Sequence, residues 1–298
     1  SQDLVVHLRF DNDLVDSSSR ANNGTAVGSP TFTAGLIGPN AVVIPSGADY
    51  VTLGTPADLE FGQAIDFSFS FWAKLPVDGW SSDPSFLGNK DWNSGGNQGY
   101  VIASDGDGRV QWNLAGPPGG RKDYDGPGGV FGNDDWHHIA ITFDRNGNGV
   151  TYVDGLVQGA SPLTADANDV STPSGNATNI GQDGTGSYGA AFVNLSVDDL
   201  GIWRRLLTPQ EVAGIHSAGL AGNDLSTVEV GTVEIVLDPP VVADGNITLN
   251  WTGAPGLRLQ KATSLTAPDW QDVAGTQGNS SHTEAVSTGS AFYQLMQP

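Results

Sequence analysis

The sequence predicts an all-β protein made of one large β unit and one small one, and three observations carry that prediction. Glycine accounts for 41 of the 298 residues. The 33 acidic residues are nearly all Asp, with Glu only at Glu60, Glu211, Glu229, Glu234 and Glu284. Apolar residues recur with a period of two through most segments, and one stretch alone, just after Thr208, carries the marks of a helix. Gly and Asp favour turns over helices, and a period of two places alternate side chains on opposite faces of a strand. A unit above 200 residues buries roughly 70% of its unfolded surface. With no cysteine, disulfides and thiolate metal sites are excluded, so the apolar core must carry the stability.

Taken in order, Leu4 to Asp11 alternates as a first strand and runs into a polar loop, Asn12 to Gly24, dense in oxygen donors, which ends at Thr25-Ala26-Val27. Ala41 to Pro45 and Tyr50 to Leu53 read as short strands, and Ile65 to Lys74 alternates apolar with small or polar residues over ten positions. Residues 76–99 read as loop around Phe86-Leu87-Gly88. Tyr100 to Ala103 and Arg109 to Leu114 form a hairpin across Ser104 to Gly108, and residues 115–134 read as a Gly/Pro-rich insertion. Asp135 to Gly155 is a long hairpin: Trp136 to Phe143 has one wholly apolar face, Asp144 to Gly149 is a turn cluster, and Val150 to Val153 returns. That turn starts as D-x-N-x-N-G, like a calcium-binding EF-hand loop, but Gly155 stands where the bidentate Glu is required, so it is a turn.

Residues 158–175 read as a second long loop, followed by Thr178 to Gly181 and a closing strand, Ala190 to Trp203. Thr208 with Glu211 forms a capping box and Pro209 sits at the first helical position, with Gly219 as the expected stop. Beyond it, Val228 to Leu237, Ile247 to Trp251, Leu257 to Lys261 and Ala291 to Met296 are short strands between turn signals, a small β-sandwich. The expected domains are 1–222 and 226–298.

Several of these motifs, in this order, resemble the laminin G-like jelly rolls of the concanavalin A-like lectin/glucanase superfamily: Phe10-Asp11, Asp16-Ser17 and Asn22 to Thr25; Asp49-Tyr50-Val51; Phe69 to Lys74; Trp136-His137-His138 with Tyr152 to Gly155; Thr178 to Gly181; and Val197 to Thr208. The resemblance covers residues 3 to about 222 and implies a jelly-roll sandwich. The last 73 residues are similar to small C-terminal modules of exported bacterial proteins. The superfamily often holds Ca²⁺ where the first and last strands meet. The matching positions here are Asp11, Asp16, Asn23 and Asp198, with Gly24 offering a carbonyl. The superfamily's glucanases use an E-x-D-x-x-E strand, which this chain lacks. His137 and His138 read as packing residues, and no G-x-S-x-G accompanies His7, His216 or His282. No enzymatic activity is expected.

A formal charge of −21 with 12 Lys and Arg excludes nucleic acid and anionic membranes as partners. No run of 18 apolar residues exists for membrane insertion. A chain that starts at Ser1 is read as an exported, extracellular protein whose leader has been removed. Aromatic faces stack on sugar rings while charged groups fix hydroxyl, sulfate or carboxylate substituents. The expected ligand-binding residues are therefore Trp80, Lys90 and Trp92 in the 76–99 loop and Arg121, Tyr124 and Asp125 in the 115–134 loop. The leading expectation is a Ca²⁺-stabilised glycan-binding or adhesive protein. A self-assembling subunit of an extracellular filament or surface layer, in which the chain is a homo-oligomer or polymer, and an accessory domain of a polysaccharide-degrading enzyme are the alternatives.

Overall fold

The computed structural model describes residues 3–94, 96–163, 168–171, 175–228, 236–252, 257–266, 268–276, 279–286 and 288–296. The contacts divide the chain into two units, Ser1–Glu229 and Val230–Pro298.

The first unit contains strands β1 (Leu4–Leu8), β2 (Thr25–Val27), β3 (Thr31–Ala34), β4 (Asn40–Ile44), β5 (Tyr50–Thr52), β6 (Phe67–Lys74), β7 (Ser85–Gly88) and β8 (Gly99–Ala103). It continues with β9 (Gln111–Gly116), β10 (Gly120–Asp125), β11 (Trp136–Phe143), β12 (Asn148–Val153), β13 (Leu156–Pro162), β14 (Asn179–Ile180), β15 (Leu195–Trp203) and helix α1 (Pro209–Leu220). Two antiparallel sheets result. One runs β13-β12-β11-β6-β15-β4-β3 with β1 also on β15, and the other runs β10-β9-β8-β7-β14-β5-β2.

Alternation sets the layers. Phe67, Phe69 and Phe71 of β6 and Ile139, Ile141 and Phe143 of β11 meet Leu87, Tyr100, Ile102, Trp112 and Leu114 of the second sheet in the main core. The opposite face of β6 and β11 is buried too, because α1 lies on it. Leu4, Ala140, Tyr152, Trp203, Leu207, Val212, Ile215 and Leu225 form a second core there. Gly219 is inside the helix and not its stop: a Cβ there would stand 2.5 Å from the Trp72 Nε1. The helix is capped at Ala221 and Gly222 takes the left-handed φ of +76°. The capping box of Thr208 and Glu211 forms as expected.

Three expected loops contain strands. β10 lies in the 115–134 insertion and continues the hairpin of β8 and β9 through six register pairs with β9. β13 occupies the start of the 158–175 loop. Strand β7 lies within 76–99, and the closing strand begins at Leu195, five residues late. Leu225 to Thr227 is a 3₁₀ turn packed on α1 in the first unit, so that unit runs past 222.

The second unit contains β16 (Val236–Leu237), β17 (Val241–Ala243), β18 (Asn246–Thr252), β19 (Arg258–Ala262), β20 (Gln271–Asp272), β21 (Ser281–Ala285) and β22 (Phe292–Met296). The strand expected at 228–237 falls largely outside the described residues. One sheet places β18 between β17 and β21 with β16 on its far end, and the other runs β20-β19-β22. Leu249, Trp251, Leu257 and Leu259 form the core between them.

Candidate functional site

The outer face of the first sheet is occupied by α1 over β6, β11 and β15, and several of the residues expected to bind a ligand lie on the outer face of the second sheet. Alternation from the core residues Trp112 and Leu114 turns Asn113 outward, and its register partner Asp123 shares that face. On this face Lys90 is fully buried and its Nζ donates to Asn113 Oδ1. Asn113 Nδ2 donates in turn to Asp123 Oδ1 at 2.6 Å, and Arg121 Nε reaches the same oxygen at 2.5 Å. A polar chain thus runs from a buried ammonium to an exposed guanidinium. Burial, helped by Arg121, lowers the Lys90 ammonium to about 7 against the opposing pull of Asp123 and Asp91.

Trp92 lies over this chain, its ring centroid 5.2 Å from Lys90 Nζ. The indole is half-buried and held by its own polar atoms: the backbone N–H donates to Asp183 Oδ2 at 2.9 Å and Nε1 donates to the Asp83 carbonyl at 2.9 Å. Tyr188 meets it edge-on at 6.5 Å and donates its hydroxyl to Asp83 Oδ1 at 2.6 Å. Asp183 is fully buried and its Oδ1 gathers the N–H groups of Thr185 and Gly186, so one carboxylate ties two loops together. Such fixing removes the ordering cost of an aromatic platform before a ligand arrives.

Lys90, Trp92 and Arg121 are therefore brought together, with Asp125 four residues from Arg121 along β10 on the same face. Trp80 and Tyr124 are not. Trp80 is bridged to Phe192 and packs half-buried on the core. Tyr124 falls on the inward side of β10, stacked on Trp112 at 5.9 Å. Sequence reasoning missed Asn113, Asp123, Asp183 and Tyr188. Only Asp183 had a local signal, the Asx-turn string Asp183-Gly184-Thr185.

The residues expected to hold a cation separate into two groups. Asp16 Oδ1 accepts from the His7 and Ser18 N–H groups, both at 2.8 Å, and Oδ2 accepts from Ser18 Oγ and Asn22 N. Asn23 Oδ1 caps Asp16 N at 2.9 Å, and Gly24 N donates to the Leu14 carbonyl. This group is an Asx network that shapes the 12–24 loop. Asp11 and Asp198 belong elsewhere, against the loop between β3 and β4. Asp198 Oδ2 accepts from Leu36 and Ile37 N–H at 2.9 Å each, and a Cβ at Gly38 would stand 2.5 Å from Asp11 Oδ1. Asp11 Oδ1 and Asp198 Oδ1 are both buried without a hydrogen-bond donor. Burial raises the Asp198 carboxyl to about 7 despite the two N–H bonds, with Asp199 adding to the rise. Next to it Asp199, at a left-handed φ of 44°, points the other way, to His7 Nε2 at 2.7 Å and Leu225 N at 2.8 Å.

No curated protein sequence matches the chain. Among solved structures it is similar to domain 4 of AbnA, a GH43 extracellular arabinanase from Geobacillus stearothermophilus, in complex with arabinotriose. The identity is 24% and the TM-score 0.53, over 70% of this chain and 96% of that one. It is also similar to the binding domain of Paraclostridial Mosquitocidal Protein 1, with 16% identity and a TM-score of 0.59 over 91% of this chain and 63% of that one. The binding domain of botulinum neurotoxin DC in complex with SialylT gives 13% identity and a TM-score of 0.56, over 91% and 78% of the two chains. At these identities the likeness shows the fold. A family model matches residues 45–213, over half of the chain, and by that match the chain belongs to the concanavalin A-like lectin/glucanases superfamily.

Proposed function

We propose that the first unit is a non-enzymatic glycan-recognition domain of an exported protein, stabilised by Ca²⁺. The observation that carries this reading is Trp92, half-buried and fixed at both polar atoms, above the chain of Lys90, Asn113, Asp123 and Arg121. A rigid aromatic plane beside donors and acceptors is the arrangement that stacks on a sugar ring and reads its hydroxyls. That AbnA domain 4 was seen with arabinotriose and a botulinum binding domain with SialylT supports saccharides as the ligand class. The absence of an E-x-D-x-x-E strand from the sequence supports binding without hydrolysis.

Calcium rests on a different feature. Asp11 Oδ1 and Asp198 Oδ1 are buried acceptors with no donor beside one loop. Uncompensated carboxylate oxygens are costly and are what a hard cation seeks. Asp11 and Asp198 would hold it, and Asp16 and Asn23 would shape the neighbouring loop.

The experiment is a glycan array of neutral and acidic saccharides probed with the full chain and with Trp92→Ala, alongside a reducing-end assay on the hits. Binding by the wild type, at least about tenfold weaker for Trp92→Ala at unchanged melting temperature, supports the reading. Equal binding by the two proteins, or release of reducing ends, refutes it.

A further inference from the structure

We infer that the C-terminal unit carries a binding site of its own for a short neutral saccharide, in the cleft where its two sheets part around Glu284. A cavity of about 430 Å³ on one side is bordered by Lys261, Asp269, Gln271, Asp272 and Glu284. A second of about 230 Å³, on the other side of the same glutamate, is bordered by Val242, Ile247, Val286 and Tyr293. The larger lies in the size range of small-ligand sites, about 300–1,000 Å³. Each cavity joins polar to apolar surface, Lys261, Asp269 and Glu284 beside Ala262 and Val273 in the larger, and Glu284 beside Val242, Ile247 and Val286 in the smaller. A pyranose or furanose ring has the same division, hydroxyls at its edge and C–H groups on its face.

Glu284 belongs to β21 and Lys261 and Tyr293 to β19 and β22, so the three join opposite sheets. Lys261 Nζ reaches Glu284 Oε1 at 2.5 Å and lies 5.6 Å from the Tyr293 ring centroid. The Tyr293 hydroxyl donates to the same oxygen, and His282 Nε2 lies 3.4 Å from Oε2. The core of Leu249, Trp251, Leu257 and Leu259 fills the rest of the space between the sheets with apolar side chains, and the cleft departs from that pattern. Four polar side chains converging beside an open cavity do not add to a 69-residue core; they are what orients a polar ligand.

The charges select the ligand further. Each carboxylate at the cleft already has a donor: Glu284 has Lys261, Asp272 has Gln260 at 2.7 Å and an ion pair with Arg258 at 3.1 Å, and Asp269 has Gln271 at 2.8 Å. Their remaining lone pairs accept hydroxyl hydrogens. Lys261, the cation on these walls, is engaged by Glu284, so a uronate or sulfate would face carboxylates.

The test is a titration of isotope-labelled full chain, wild type and Trp92→Ala, with arabinotriose, lactose, maltotriose and cellotriose, and with a sulfated heparin disaccharide for comparison. Backbone amide shifts at Lys261, Gln271 and Glu284 are read at up to roughly 10 mM ligand. The expected result is a saturable shift at these residues with at least one neutral saccharide, retained in Trp92→Ala. It should weaken by at least about tenfold in Asp269→Asn or Gln271→Ala, both exposed side chains outside the Glu284 hub. No shift with any neutral saccharide, or a response to the heparin disaccharide as strong as to the neutral ones, overturns it. Loss of the shift in Trp92→Ala also overturns it, because the C-terminal response would then depend on the site of the first unit.

Discussion

At the scale of single residues, Lys90 sets two requirements against each other. The fold holds it at about 7, below the usual 10.4 of a free lysine. Between those values the unfolded chain carries a proton that the folded chain lacks. Stability from this group therefore rises with pH across that window, and below it the folded state bears the full cost of a buried cation. Lys90→Met should accordingly raise the melting temperature relative to wild type more at pH 6 than at pH 9, while weakening glycan binding through the loss of its hold on Asn113. A larger gain at pH 9 than at pH 6 would show that Lys90 is not the group described. The sequence singled out Lys90, Trp92 and Arg121 because charged and indole side chains stand out in turn-rich sequence, although it gave no sign that Lys90 is fully buried. Tyr124 was misread because its strand was hidden by flanking Gly and Pro. Once β10 is known, Tyr124 lies one position from Asp123 and so on the other face. Asn113 acts through partners distant in sequence, Lys90 and Asp123, which no local pattern records, and the Asx turn at Asp183 gives no sign of its bond from Trp92 N.

At the scale of elements, α1 packs closely at two glycines, Gly219 against the first sheet and Gly214 against Val228, with opposite consequences. Alanine in a helix interior gains roughly 0.5–1 kcal/mol over glycine. At Gly214 the nearest atom to an added Cβ is Val228 Cγ1 at 3.1 Å, the end of a side chain able to yield, so Gly214→Ala should be neutral or slightly stabilising. At Gly219 the added carbon meets three atoms of the buried Trp72 ring at 2.5–2.7 Å. Overpacking of that kind costs about 1–3 kcal/mol, so Gly219→Ala should lower stability by denaturant unfolding; a gain at Gly219 would mean that helix and sheet are not in this contact. The loop from Leu36 to Gly38 makes a separate prediction. A cation bound to the native state alone adds about 2.7 kcal/mol at a hundredfold excess over Kd. EDTA should therefore lower the melting temperature by several degrees, and Asp198→Asn should abolish the difference. Identical melting curves in millimolar Ca²⁺ and in EDTA would remove calcium from the proposal. The long elements, β6, β11 and β15, were legible from alternation and the capping box from its spacing. The edge strands β3, β10 and β13 were not, because half-exposed edges need no apolar alternation.

At the scale of the whole molecule, the first unit does not end with its helix. Leu225 is 2% exposed in the second core and its N–H is bonded to Asp199. A chain shortened to end at Glu229 should keep the melting temperature of the first unit. One ending at Gly222 should lose about 2–5 kcal/mol, the usual cost of emptying a buried leucine site. Equal stability of the two would place the boundary at the helix. The register shift in β15 between Asp198 and Gly201, with Asp199 at its left-handed φ, has a mechanical consequence. Strands β4 and β1 lie end to end along one edge of β15, β4 on Leu195 to Val197 and β1 on Leu200 to Trp203. Leu4 pairs with Trp203, and Arg204 N donates to the Asp3 carbonyl at 2.9 Å, so the chain enters and leaves this corner side by side. Tension drawn through those two segments meets the β1–β15 rungs one after another, as in a zipper, instead of all at once, as in a lap joint. The jelly roll therefore yields first at this corner, shedding β1 while β4 keeps its place between β15 and β3, and the face of the opposite sheet that carries Trp92 outlasts the first failure.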